Sequence, residues 1–221
     1  MTLEEAIAKI KPLDHNAMEI AQKRWDSIAK PLHSLGKLET LLIQIAGITG
    51  NAEVDLSRRG LIAMCADNGV VEEGVTQTGQ EVTAIVAENF LKYDTAVGVM
   101  CKQNHAEIFP VDMGMVTDTK VRTDHKIAYG TQNMTKGPAM TREQAVKGLE
   151  AGIDMVRELN DKGYRILATG EMGIGNTTTS SAVASVLLKQ PVEEMTGRGA
   201  GLTSEGLVRK INAIKKAIAL N

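Results

Sequence analysis

The sequence predicts an α/β protein: a doubly wound, mainly parallel sheet with helices on both faces, preceded by a small helical N-terminal subdomain. Three apolar runs, Leu61–Ala66, Ala106–Val111 and Arg165–Thr169, each lead into an acid close to a glycine. These turns are Asp67-Asn68-Gly69, Asp112-Met113-Gly114 and Gly170-Glu171-Met172-Gly173. The runs lack strict alternation of apolar and polar residues, which suits strands buried on both faces under covering helices. Helix-like segments over Gln80–Phe90, Thr95–Lys102 and Thr141–Asn160 lie between or before them. The order is therefore β-α-β-α-β-α, and a doubly wound sheet follows.

Taken in order, residues 1–50 read as the helical subdomain and residues 51–221 as the α/β domain. Helices are predicted over Leu3–Ile10, Asn16–Ala29 and Lys37–Ile48. Pro12 and Pro31 close the first two, and Gly36 and Gly47 punctuate the third. The segment Thr141–Asn160 opens on a capping-box pattern, Thr141 with Gln144, and presents Val146, Leu149, Ile153, Val156 and Leu159 as its apolar face. Residues 116–138 break the pattern with polar residues and one weak apolar patch, Ile127-Ala128-Tyr129. A connection this long in a compact domain points to function or mobility. A last helix is predicted over Thr203–Leu220.

Composition narrows the function classes. With 43% apolar and 24% charged residues, the chain has a globular balance that excludes disordered and collagen-like classes. No stretch approaches the ~20 apolar residues of a spanning helix. The start, Met1-Thr2-Leu3-Glu4-Glu5-Ala6, is acidic where an export signal is basic and then apolar, so a cytoplasmic location is expected. A net charge of −2 with scattered basic residues, and only 3% aromatic residues, argue against a nucleic-acid partner. Cys65 and Cys101 read as small buried hydrophobes. The four histidines lack metal-ligand spacing, so no metal site is expected.

In open parallel sheets ligands bind beyond the carboxyl ends of the strands, so the three turns are expected to converge on one crevice. For Asp67 and Asp112 the competing reading is a cap on the following turn. The turn after Thr169 is the richest. Gly170, Gly173 and Gly175 allow unusual backbone and close approach of a ligand, and Asn176-Thr177-Thr178-Thr179 stand at a predicted helix N-terminus. Free amides and the helix dipole there suit an anion, most naturally a phosphorylated substrate. Neither the dinucleotide fingerprint nor the P-loop is satisfied, and a plain tight turn is the alternative. The loop Gly130–Met140 reads equally as a substrate cover or a connection. Glycine-rich Thr196–Leu202 leads into a helix carrying Arg209 and Lys210, where a lysine can reach a phosphate or stay solvated.

The motifs Lys30-Pro31-x-x-Ser34-Leu35-Gly36-Lys37-Leu38-Glu39, Asp67-Asn68-Gly69-Val70, Gly74-Val75-Thr76, Gln80-Glu81-Val82-Thr83, Asp112-Met113-Gly114, Gly130-Thr131-x-Asn133, Gly137-Pro138-Ala139-Met140 and Gly170-Glu171-Met172-Gly173-Ile174-Gly175-Asn176-Thr177-Thr178 span almost the whole chain. In this order they resemble the nicotinate-nucleotide–dimethylbenzimidazole phosphoribosyltransferase family of cobalamin nucleotide-loop assembly. The resemblance implies that a benzimidazole nitrogen attacks C1′ of nicotinate mononucleotide, expelling nicotinate and leaving an α-riboside 5′-phosphate. It implies no metal or redox cofactor, and a homodimer. It places the phosphate at Gly173, Gly175, Asn176, Thr177, Thr178 and Lys210, the base (5,6-dimethylbenzimidazole or a relative) near Thr76 and Gln80, and Glu171 beside the ribose as the catalytic carboxylate.

Two departures qualify the resemblance. His33 stands where the family usually has a glycine. Family members also continue past this length, and the glutamate assigned as their general base lies in that continuation, so a C-terminally incomplete α/β domain is expected. A shortened homologue using Glu171 or a second subunit's group is the other possibility, and the apolar edge left open predicts self-association. The rival functions are a binding module that holds the nucleotide and benzimidazole without turnover, and a nucleotide hydrolase using water, for which the aspartate-rich pattern is absent.

Overall fold

The computed structural model describes residues 1–221. Its first helix, α1 (Leu3–Ala8), opens on a reciprocal capping box between Thr2 and Glu5. It docks on the body: the Met1 ammonium lies 3.1 Å from Asp154 Oδ1, and the Leu3 amide donates to Glu150 Oε1 at 3.1 Å. Helices α2 (His15–Ser27) and α3 (Lys37–Thr49) pack against each other as an antiparallel hairpin, with the Asp14 amide donating to Gly47 O at 2.9 Å. Gly47 does not punctuate α3 but lies inside it. A Cβ there would come within 2.7 Å of the Met18 side chain, so the glycine serves close approach of the two helices.

The hairpin loop holds a buried ion pair, Lys30 Nζ to Glu39 Oε1 at 2.9 Å, and Glu39 also accepts the Leu35 amide. Within this loop His33 has φ +58°, the left-handed region. The place where a glycine was expected thus keeps a glycine-like conformation, at a cost of about 1–2 kcal/mol for a side chain.

Three parallel strands follow: β1 (Arg59–Ala66), β2 (Ala106–Gly114) and β3 (Ile166–Met172), in the order β2-β1-β3. β1 is central, with its ladder running from Arg59↔Ala106 to Ala66↔Gly114 on one side and from Arg59↔Ile166 to Cys65↔Met172 on the other. Because β1 offers backbone partners that far, β2 continues through Asp112 to Gly114 and β3 through Glu171 to Met172. The two acids expected in turns therefore sit on strand ends.

Helices α4 (Glu81–Lys92) and α5 (Ala96–Gln103) cover one face, where Ala84, Ala87 and Phe90 meet Ala63, Cys65 and Met115. The other face receives α6 (Arg142–Asp161), whose capping box between Thr141 and Gln144 forms in both directions. Its buried stripe is Ala151, Met155 and Leu159, against Ile62 and Val111. The expected apolar face is only partly right: Leu159 is buried, but Leu149 and Val156 are exposed along an open groove with Ile62, Met64 and Thr169. Burial on both faces holds for β1 and fails for β3, whose outer edge has no neighbour and whose Ile166, Ala168, Thr169 and Glu171 are exposed.

A third core lies beyond the carboxyl ends of the strands. There α7 (Asn176–Leu188), α8 (Val192–Met195) and α9 (Ser204–Leu220) gather Ala182, Ala213, Ile214 and Ala217 against Val70, Val75 and Met134. Residues 116–138 are irregular but tied down, with Asp112 N to Arg122 O at 2.8 Å, Ile127 N to Met113 O at 3.0 Å and Thr131 N to Asp67 O at 3.0 Å. No helix is long and apolar enough to cross a membrane.

Candidate active site

The three strand ends do not play equal parts. Asp67 is fully buried; its Oδ2 accepts the Val116 amide at 2.9 Å and its Oδ1 has no partner. Burial pushes its carboxyl up from the usual range, against the pull of the Val116 amide. Asp112, equally buried, accepts the Gly114 and Met115 amides at 2.9 and 2.7 Å and faces Lys126 Nζ at 3.1 Å. Although burial works the other way, the Asp112 carboxylate holds the Lys126 ammonium above its ordinary value. Asp112 therefore caps the turn that follows it, as the competing reading expected, whereas Asp67 does not cap its own turn but holds the Val116 backbone beyond β2; both are fully buried. Cys65, beneath them, has its thiol pushed up to about 12 by burial, so it carries no thiolate at neutral pH.

The β3 end is different. Glu171 is exposed, and the Asn176 side-chain amide donates to its two oxygens at 2.6 and 2.5 Å. Asn176 Oδ1 in turn accepts the Thr177 amide at 2.6 Å, and Thr177 Oγ1 accepts from Lys210 Nζ at 2.8 Å. One chain of hydrogen bonds thus joins Glu171, Asn176, Thr177 and Lys210. Lys210 is 1% exposed, and its other acceptor is Gly197 O at 3.1 Å. Burial alone pushes its ammonium down, with no carboxylate opposing. A buried cation without a counter-charge is costly and calls for an anion. The neighbouring Thr178 hydroxyl is buried with no partner.

The glycines have reasons within the chain. A Cβ on Gly173 would lie 2.1 Å from Ala66 O, so only glycine lets this turn lie against the end of β1. Gly175 starts α7 at φ +92°, and Gly199, at φ +56°, brings the Thr196–Leu202 loop onto Thr177 and Lys210. The space expected for a ligand beside Gly173 and Gly175 is taken, on the Cβ side, by β1 and the turn that follows it.

Thr76 and Gln80 stand on the loop before α4. Thr76 Oγ1 donates to Thr78 O at 2.9 Å, and Gln80 Nε2 to Asn68 O at 3.2 Å. This loop is fastened to the Lys210 side by Arg209 Nε to Gly74 O at 3.3 Å and by Gln77 to Gly201 O. Hydrogen bonds thus tie the loop that carries Thr76 and Gln80 to the α9 side through Arg209 and Gly201 and to the end of β1 through Asn68. Sequence reading gave Asn68 and Thr83 no role of their own and Thr179 only a place in the helix-start hydroxyl run, whereas together they tie the turn after β3 to the end of β1 and to α4. Asn68 stands out in the sequence only as part of a motif, and the partners of its side chain, Ile174 and Thr179, lie more than a hundred residues away. No group of three or more histidines, cysteines or acids is placed to hold a metal ion.

A family model described as Phosphoribosyltransferase (DBI_PRT) matches residues 10–221. The nicotinate-nucleotide–dimethylbenzimidazole phosphoribosyltransferase of Ruminiclostridium cellulolyticum is 51% identical over all of this chain and 63% of its own length. That of Clostridium tetani is 47% identical over 99% of this chain and 61% of its own. Among solved structures, CobT from Thermus thermophilus superposes with a TM-score of 0.85 at 37% identity, covering 92% of this chain and 62% of that one. This chain therefore spans 61–63% of the length of these relatives. With a family model matched over residues 10–221 and a relative 51% identical over the whole chain, the chain belongs to the DBI_PRT phosphoribosyltransferase family.

Proposed function

We propose that the chain takes part in transfer of the phosphoribosyl group of nicotinate mononucleotide to 5,6-dimethylbenzimidazole, giving α-ribazole 5′-phosphate and nicotinate. The observation that carries this is the buried, uncompensated Lys210 ammonium joined through Thr177 and Asn176 to the exposed Glu171 carboxylate. In this reading the 5′-phosphate lies between Lys210 and the turn of Gly173, Gly175, Asn176, Thr177 and Thr178. Glu171, held by Asn176, supports positive charge developing on the ribose. Thr76 and Gln80 border the incoming base. The division at residue 50 and a cytoplasmic homodimer belong to the same proposal. The self-packed α2–α3 hairpin supports the former, and the exposed apolar Val183, Val186, Leu187 and Leu188 on α7 support self-association.

The test is nicotinate release from nicotinate mononucleotide with and without the benzimidazole, alongside calorimetric binding of the mononucleotide. Lys210→Met should weaken that binding about 10–100-fold, the worth of a charge-assisted hydrogen bond. It should leave the free protein as stable or about 1 kcal/mol more stable, because a buried charge is replaced by an apolar chain of similar length. Equal binding by both proteins would sink the phosphate site. Binding without nicotinate release would leave a nucleotide-binding chain instead of a transferase.

A further inference from the structure

A reaction between two bound molecules depends on their separation, and one residue touches both sides of this site. Asn68 Nδ2 donates to Ile174 O at 3.1 Å, inside the turn that leads from Glu171 into α7. Its Oδ1 accepts from the Thr179 hydroxyl at 3.2 Å, a proton shared with Asn176 O at 2.9 Å. Its backbone oxygen accepts from Gln80 Nε2 at 3.2 Å, on the opposite side. The first turn of α4, which begins just after Gln80, adds a parallel tie: Thr83 Oγ1 accepts the Ile174 amide at 3.0 Å.

The fit is specific to this side chain. Asn68 occupies a slot left by two glycines, since a Cβ on Gly173 would lie 3.1 Å from Asn68 Nδ2 and one on Gly175 would lie 3.2 Å from Asn68 Cβ. An aspartate keeps the acceptor for Thr179 but sets a carboxylate against the Ile174 carbonyl. An alanine leaves that carbonyl and the Thr179 hydroxyl without their cross-link. Asp67, immediately before, is buried and fixed to Val116, so the backbone carrying Asn68 is anchored from below.

We propose that Asn68 is a positioning residue that sets the spacing between the nucleotide turn at Ile174–Thr179 and the base-side loop at Thr76–Gln80. The inference rests on the function proposed above. Asn68 acts through Ile174, Thr179 and Gln80 and touches neither substrate. Misplacement of reacting atoms by about 1 Å is enough to cost about 100-fold in rate. Its loss should therefore fall on turnover more than on binding.

The experiment compares the wild type with Asn68→Ala, Asn68→Asp, Thr179→Val and the double variant Asn68→Ala with Thr179→Val. Mononucleotide and benzimidazole affinities are measured separately, followed by kcat and by amide hydrogen exchange of the free protein. Asn68→Ala should lower kcat roughly 100-fold while each affinity changes less than about 3-fold. Thr179→Val should show a smaller loss that does not add to that of Asn68→Ala, as for residues in one network. A kcat that is unchanged, or that falls only in step with affinity, overturns the proposal. Exchange keeps the test separate from the functional reading. In the free protein Asn68→Ala should speed exchange both at residues 174–180 and at residues 80–84. Acceleration on one side only, or on neither, overturns the bracket whatever ligand the site takes. Failure of the wild type to bind the mononucleotide would sink the functional reading alone.

Discussion

β1 and β3 are neighbours in one sheet, run in the same direction and end in an acid near a glycine, yet they end in opposite environments. β1 is paired on both edges and covered on both faces, with Ile62, Ala63 and Cys65 buried, and its terminal Asp67 is sealed beneath the Val116 backbone. β3 is paired on one edge, Ile166 is 42% exposed, and its terminal Glu171 reaches solvent with both oxygens held by one amide. The contrast shows what separates an acid that serves the fold from one that the fold leaves accessible. Where covering helices and loops close over a strand end, the carboxylate becomes a strut for backbone amides. Where the strand end stays open, the carboxylate stays exposed and is held only by a neighbouring side-chain amide.

The largest expected effect tests that contrast in the strands themselves. Ala63→Asp places an unpaired charge among Ala84, Ala87 and Phe90 and should cost about 4 kcal/mol or more, enough to unfold the protein. Ala168→Asp, on the exposed strand, should cost less than about 1 kcal/mol. Urea unfolding of the two variants decides the matter, and similar losses would mean that β3 is covered in solution.

The glycines at the end of β3 sharpen it further. Gly173→Ala drives a methyl into Ala66 O and should cost about 3 kcal/mol through forced backbone movement. Gly170→Ala, with its nearest neighbours at 3.6 Å, should change stability by no more than about 1 kcal/mol. Thermal unfolding of both variants would show whether the close approach of the two strand ends, and not strand glycine in general, is what requires Gly173.

The buried acid makes a pH prediction. Because burial raises the Asp67 carboxyl above its unfolded value, the folded protein holds this proton more tightly than the unfolded chain does. The penalty for ionising it is thus present in full only above the folded pKa. It shrinks as the pH falls through the folded pKa and vanishes below the unfolded value of about 4. Asp67→Asn, which keeps an acceptor for the Val116 amide, should be about 1 kcal/mol more stable than the wild type near neutral pH, with the gap closing in acid. A gap that widens as the pH falls would reverse the sign assigned to Asp67.

The smallest effect lies outside the sheet. His33→Gly relieves a left-handed side chain, offset in part by the greater freedom of glycine in the unfolded chain, and should stabilise by no more than about 1 kcal/mol. A loss of stability on denaturant unfolding would show that the imidazole makes a contact worth more than the strain.

Features set by neighbours along the chain were legible at once. The capping box at Thr141 and Gln144 needs only residues three apart, and the apolar runs of β1 and β2 carry their own burial signal. The hydroxyl-rich start of α7 announced a helix N-terminus because capping and dipole are local to one turn. Gly47 is misleading for the opposite reason. Its cause is Met18, on another helix, and a lone glycine looks the same whether it ends a helix or admits a neighbour.

The same boundary runs through the site. Sequence alone determined the strand-helix order, the glycine-rich turn at Gly173 and Gly175, and the candidacy of Lys210, while Glu171 became a candidate through the family resemblance. Those properties reside in residue type and short spacing, where torsional freedom, charge and hydrogen-bonding capacity are intrinsic. Only the tertiary structure decided that Asp67 and Asp112 are struts, that β3 is an open edge, and that Asn68 clamps Ile174 and Thr179 more than a hundred residues away. Desolvation and cross-chain hydrogen bonds depend on which atoms arrive from elsewhere in the fold, and no local window of sequence contains them.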